Sequence, residues 1–176
     1  PYSSSCGRYL LLYNGEIYNT KYLSEKINYS NIDLKLKGDT PLLMELLIRY
    51  GVDILSEING MFAFVFWDRF SETGFASRDQ SGIKPLYYLF EKGTLIFSSL
   101  IKSIADLSLV KSKISNQSLQ LFYLLGSVPD PFTIYDNIHS LEPGCFIKFK
   151  ENRIIHQGKY SIDYVDYYKS QNFKNY

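Results

Sequence analysis

The sequence predicts an α+β sandwich, two mainly antiparallel sheets packed face to face with helices outside them. Three observations carry this. Residues 61–67 read MFAFVFW, apolar on both alternating faces, so the sheet they enter is covered on both sides. The strand candidates that follow, 73–77, 86–90 and 94–97, lie close together with Gly82 and Gly93 between them, a spacing that suits antiparallel hairpins. Helical patterns come before and after this block. A sheet that is greasy on both faces and built from hairpins needs a second sheet on one side and helices on the other.

The elements follow in order. Residues 8–13 form a strand with apolar residues on both faces. Asn19 or Thr20 caps a short helix carrying Leu23 and Ile27 at a spacing of four. Residues 32–36 alternate as a half-buried strand does. In Gly38-Asp39-Thr40-Pro41, Thr40 caps and Pro41 takes the first helical position. The LLMELLIRY that follows is apolar nearly all round and marks a deep helix, closed at Gly51. Residues 100–107 and 117–125 read as helices, the second capped by Asn116 and stopped by Gly126. Residues 145–150 and 153–156 make a last hairpin over Glu151-Asn152. The domain is expected over 1–160, and 161–176, polar and aromatic without period, reads as a linker.

Composition narrows the function. The 176 residues are 45 % hydrophobic and 21 % charged, with 16 Tyr and a formal net charge of +1, ordinary for a globular domain and without the basic surplus that nucleic acid or an anionic membrane would demand. No apolar stretch is long enough to span a bilayer. Cys6 and Cys145 lie far apart, and His139 and His156 are isolated, so no metal-type spacing exists. Both thiols are expected reduced in a cytoplasmic protein. The chain starts at Pro1 with no basic and apolar leader, and reads as a piece cut from something longer at both ends.

One stretch stands out chemically. In LLLYNGEIYNT, an apolar run stops at Asn14-Gly15-Glu16. Asn-Gly is a favoured hairpin turn pair, with Glu16 a solvated neighbour. The same residues can also build a site. Gly15 lets a ligand approach its backbone N–H. The Asn14 carboxamide is a second donor, and two donors converging at the end of a strand make an oxyanion hole. Glu16 adds a fixed negative charge suited to an ammonium group. Asp39, at a helix start, is either a capping carboxylate or a second such charge. Spacing alone leaves these alternatives open.

Five stretches in this order, NGEIYN (14–19), GDT (38–40), NGMFAFVFWD (59–68), RDQSGIKPLYY (78–88) and PDPFTIYDNI (129–138), resemble the amino-terminal glutaminase domain of glutamine-hydrolysing asparagine synthetases, from Pro1 to about Tyr160. The resemblance implies an Ntn-hydrolase fold, four layers ordered α, β, β, α, incomplete here at its N-terminus. It implies a catalytic amino-terminal Cys upstream of Pro1, whose α-amine is the base and which attacks the glutamine side-chain amide. By the same resemblance Asn14 and Gly15 hold the oxyanion, and Glu16 and Asp39 bind the glutamine α-ammonium. Ammonia then passes to a covalently linked synthetase domain, where ATP and Mg activate aspartate; this stretch itself needs no cofactor or metal. A homodimer is compatible with the family. Cys6, without a free α-amine, is no substitute nucleophile, so the chain as given is expected to be inactive. Pro41 and Leu100 stand where the family usually has Glu, and the exit segment lacks the usual Trp-Asp. Two alternatives remain: a non-catalytic interaction or regulatory module of the same fold, and a related ATP-dependent amide-forming enzyme with another acceptor.

Overall fold

Alternation along one long strand organises the whole molecule. In the computed structural model, which describes residues 1–27, 38–108 and 110–161, strand β3 (Gly60–Asp68) sends Phe62, Phe64 and Phe66 to one face and Ala63 and Val65 to the other. The first set meets helices and the second meets another sheet. β3 lies between β2 (Tyr9–Ile17) and β4 (Thr73–Arg78), with β1 (Tyr2–Ser3) outside β2, and with β8 (Cys145–Lys150) and β9 (Arg153–Lys159) beyond β4. Every pairing in this six-stranded sheet is antiparallel. The second sheet has the order β6-β5-β7, from β5 (Tyr87–Glu91), β6 (Thr94–Ser98) and β7 (His139–Ser140).

Three apolar cores separate four layers. Helices α1 (Thr20–Lys26) and α2 (Asp39–Tyr50), the latter continuing as a 3-10 turn over Gly51–Glu57, bury Leu23, Leu43, Leu46 and Leu47 against the phenylalanine face of β3. Between the sheets, Ala63, Val65 and Ala76 meet Leu86 and Phe97. Outside the second sheet, Leu89 and Ile138 pack on Ile104 of the short helix α3 (Ile101–Ala105). This is the expected α, β, β, α order. Arg8 pins the start of β2 through two bonds to Asp68, at 2.8 and 2.6 Å, and its guanidinium holds that carboxyl well below the usual carboxylate range. Cys6 and Cys145 are free thiols.

Several boundaries differ from expectation. β2 does not stop at Tyr13 but runs through Asn14-Gly15-Glu16 to Ile17, so these residues are strand and not turn. β3 is nine residues long and pairs with all of them, Asn14 with Ala63 and Glu16 with Met61. The deep helix begins at Asp39. Gly38 occupies the cap position with φ +120°, and Pro41 falls in the first turn, where its missing N–H would have had no partner. Helix α4 (Asn116–Leu125) is capped not by Asn116 but by Ser115, whose Oγ accepts the Ser118 N–H at 3.2 Å. Gly126 closes it in the left-handed conformation, φ +75°, as expected. α3 is shorter than its apolar pattern, and β9 extends to Lys159. The strand expected over 32–36 and the linker beyond Ser161 lie outside the described residues.

One edge of the six-stranded sheet is only partly paired among the described residues. β1 pairs only with Leu10 and Leu11 of β2. From Leu12 to Ile17, the outer edge of β2 is paired with no described strand.

Candidate functional site

The candidate site residues gather on and beside the edge of β2 that no described strand pairs. The bonds at the two ends of the β2–β3 ladder, Arg69 N–H to the Arg8 carbonyl at 3.0 Å and Tyr18 N–H to the Asn59 carbonyl at 2.8 Å, show that even-numbered residues of β2 exchange hydrogen bonds with β3. In an antiparallel pair the intervening residues point their N–H groups the other way. The amides of Tyr13, Gly15 and Ile17 therefore face the open edge. Side chains add a second division. Leu11, Tyr13 and Ile17 belong to the helix face, and Leu12, Asn14 and Glu16 to the face toward the second sheet.

Gly15 is required here by the neighbouring strand. A Cβ on it would overlap the Met61 carbonyl oxygen and stand 2.7 Å from the Phe62 Cα. No described strand pairs the edge to which its N–H points.

Asp39 meets that edge from the start of α2. Its Oδ2 accepts the Ile17 N–H at 3.0 Å and the Tyr13 hydroxyl at 2.7 Å, while Oδ1 accepts nothing from a described residue. Burial, and then the bond to Asp39, push the Tyr13 phenol far above its ordinary value. Tyr13 therefore stays a proton donor to the carboxylate at neutral pH. Sequence reading missed Tyr13. The available signal was a hydroxyl-bearing aromatic in strand alternation with Ile17, directly before Asn14.

Asn14 opens into a cleft between the two sheets, about 330 Å³, lined by Leu12, Val65, Leu86, Phe97 and Ser98 among others. Its carboxamide makes no hydrogen bond to a described residue, and neither does the exposed Glu16 carboxylate. The structure thus brings Tyr13, Gly15 and Asp39 to one strand edge and places Asn14 and Glu16 on the adjoining face. Asp39 does not line the cleft that Asn14 enters.

The far wall of the cleft is fixed by Arg78 and Asp79, the first two residues of RDQSGIKPLYY. Fully buried Asp79 accepts four backbone N–H groups: Ser81 and Ile83 on Oδ1, Phe62 and Lys84 on Oδ2, at 2.9–3.2 Å. Arg78 donates to the carbonyls of Gly82, Lys84 and Leu141, to Ser140 Oγ and to Asp130 Oδ2. This buckle ties β3 to the loop that carries the chain into the second sheet, and so sets where Leu86 stands opposite Asn14.

A family model described as a glutamine amidotransferase domain matches residues 1–161. The chain belongs to this family. The amidotransferase domain is 34 % identical over 167 residues to a protein of Methanocaldococcus jannaschii named putative asparagine synthetase [glutamine-hydrolyzing] 2, covering 94 % of this chain and 31 % of the relative. It is 31 % identical over 145 residues to asparagine synthetase [glutamine-hydrolyzing] 3 of Bacillus subtilis, covering 82 % and 24 %. The chain thus spans less than a third of the length of these relatives. Among solved structures, the glutamine phosphoribosylpyrophosphate amidotransferase of B. subtilis, in complex with ADP and GMP, superposes with a TM-score of 0.59 at 16 % identity, over 92 % of this chain and 31 % of that one. That likeness is one of fold, and it agrees with the four-layer Ntn-hydrolase sandwich. No helix among the described residues is long and apolar enough to cross a membrane.

Proposed function

We propose that this amidotransferase domain is the glutaminase part of a glutamine-hydrolysing asparagine synthetase. A cysteine from sequence upstream of Pro1 attacks the side-chain amide of glutamine. The Asn14 carboxamide and the Gly15 N–H stabilise the tetrahedral oxyanion. The intermediate collapses to a thioester as ammonia leaves, and water then releases glutamate. Glu16 and the Oδ1 side of Asp39 take the α-ammonium of glutamine, and Tyr13 holds the Asp39 carboxylate in place. Ammonia goes on to a synthetase domain, where ATP and Mg serve the activation of aspartate. The names of the curated relatives support aspartate over another acceptor.

One observation carries the reading. A glycine N–H faces a strand edge that no described strand pairs, next in sequence to a carboxamide with no described partner and on the same edge as a carboxylate ordered by two donors. In the full-length protein, Asn14→Ala is expected to cut glutamate release about 10²–10³-fold, the effect of removing one such donor, with a smaller change in KM. Activity within about threefold of wild type overturns the assignment. The 176-residue chain, lacking the nucleophile, is expected to release no glutamate above background.

A second reading, a non-catalytic module of the same fold, draws on the two bonds at Asp39 Oδ2, which give that carboxylate a structural task. Calorimetry of glutamine with the full-length protein separates the two, because the non-catalytic module has no reason to bind it.

A further inference from the structure

We infer that helix α4 is the docking element through which the amidotransferase domain is embedded in the domain that follows it in the full-length polypeptide; the identity of that domain rests on the reading above. α4 buries a single residue, Ser118. At its start the Ser115 N–H ties it to the fold through the Ile134 carbonyl at 2.9 Å. Its last turn, Phe122-Tyr123-Leu124-Leu125, stands in the open, with Tyr123 84 % and Leu124 79 % exposed. The rings of Phe122 and Tyr123 pack on each other, 6.2 Å between centroids. A ten-residue helix does not sustain itself in water and draws its stability from packing an apolar face. A continuous exposed cluster of this kind marks an interface.

Three features select the occupant. Residues 114–129 contain no Asp, Glu, Lys or Arg. A helix that lies on a membrane carries a charged face, so lipid does not suit it. Four consecutive residues at about 100° per residue are spread round most of the helix axis. A second copy laid side by side would cover only one flank, whereas a groove in a larger body covers all four. Finally, the curated relatives extend over more than twice the length that this chain matches, which covers 31 % and 24 % of them, so in such proteins a large body is tethered to the same chain.

Amide hydrogen exchange tests this on the full-length protein and the 176-residue chain in parallel. Over Leu119–Leu125, exchange is expected to be at least about tenfold slower in the full-length protein. Tyr123→Glu with Leu124→Glu in the full-length protein should restore fast exchange there while glutamate release stays within about twofold. Equal exchange in the two proteins overturns the inference. So does protection in the short chain that grows with its concentration and accompanies sedimentation as a dimer, because the occupant is then a second copy. So does a native gene product whose intact mass is near the 20.4 kDa of this chain. A full-length protein that protects α4 but forms no amide from glutamine keeps this inference and removes the proposed function. The reverse result removes this inference alone.

Discussion

Replacing Asp79 by alanine is expected to destabilise the domain severely without touching substrate. The side chain is fully buried, and four amides converge on it. The Phe62 N–H is itself buried, and an unsatisfied buried donor costs about 1–3 kcal/mol. The Ser81, Ile83 and Lys84 amides are only partly buried. Water can replace the carboxylate there, so each loses a net contribution of about 0.5–1.5 kcal/mol. Because the four bonds share one acceptor group, their losses do not add in full, and a total of about 3–5 kcal/mol is expected. That is a large part of the roughly 5–15 kcal/mol by which a domain is usually stable. Urea unfolding followed by the fluorescence of the single tryptophan, Trp67, reports it. With a slope of about 2 kcal/mol/M, the midpoint should fall by about 2 M. Asp79→Asn can satisfy the pair of amides on one oxygen but presents its NH₂ to the other pair, so it should lose roughly half as much. An unfolding free energy for Asp79→Ala within about 0.5 kcal/mol of wild type would refute the claim that this carboxylate is the buckle of the fold.

Gly15→Ala forces a methyl group into the backbone of β3, so the same unfolding assay should show a loss of about 1–3 kcal/mol, the cost of overpacking. Unchanged stability would show that β3 shifts freely. Tyr13→Phe removes one of the two donors on Asp39 Oδ2; in the full-length protein, glutamine binding measured by calorimetry should weaken by about fivefold, the equivalent of one hydrogen bond. Burial raises the phenols of Tyr13, Tyr88 and Tyr160 above their ordinary value. The unfolded chain then loses these protons first, so their contribution to stability is complete below about pH 10 and is lost as the pH rises above it. Tyr160→Phe, which removes a hydroxyl bonded to the Arg78 carbonyl at 2.7 Å, should flatten that alkaline decline.

The layer order was legible because it is written in alternation. MFAFVFW names two buried faces, and the structure covers one with helices and the other with a sheet. What was not legible depended on partners distant in sequence. Asn14-Gly15 has the local chemistry of a turn, and only the length of β3, nine residues in register, holds it extended. The caps were expected one or two residues late: Ser115, not Asn116, caps α4 with its hydroxyl, and Gly38, not Thr40, holds the cap position of α2, without a side-chain hydrogen bond. The motif RDQSGIKPLYY marked the family without revealing its own role. Nothing in those letters says that an aspartate collects four amides while the arginine beside it reaches Asp130 and Leu141. The four candidate site residues were chosen by residue type, and their division between a strand edge and a sheet face follows from hydrogen-bond parity, which no local pattern encodes.

That parity explains how one strand serves two purposes. An exposed edge is ordinarily a hazard, because unpaired amides recruit other strands. Here the edge of β2 is partly occupied by side chains of its own fold: Asp39 takes the Ile17 amide, and Tyr13 from the same edge braces Asp39. The Gly15 amide lies between them with no described acceptor, and on the neighbouring face Asn14 looks into a cleft whose opposite wall is set by the Asp79 buckle through Leu86. A donor left open on an otherwise managed edge is unfavourable for folding; under the proposed function it is useful for chemistry, since it is aimed before any charge arrives and need not reorganise when one develops. Under the proposed function glycine is needed at this position twice over, for β3 to approach from one side and for a reacting oxygen to approach from the other. The first need is met within this chain by Met61 and Phe62, and the second gives the first its functional sense.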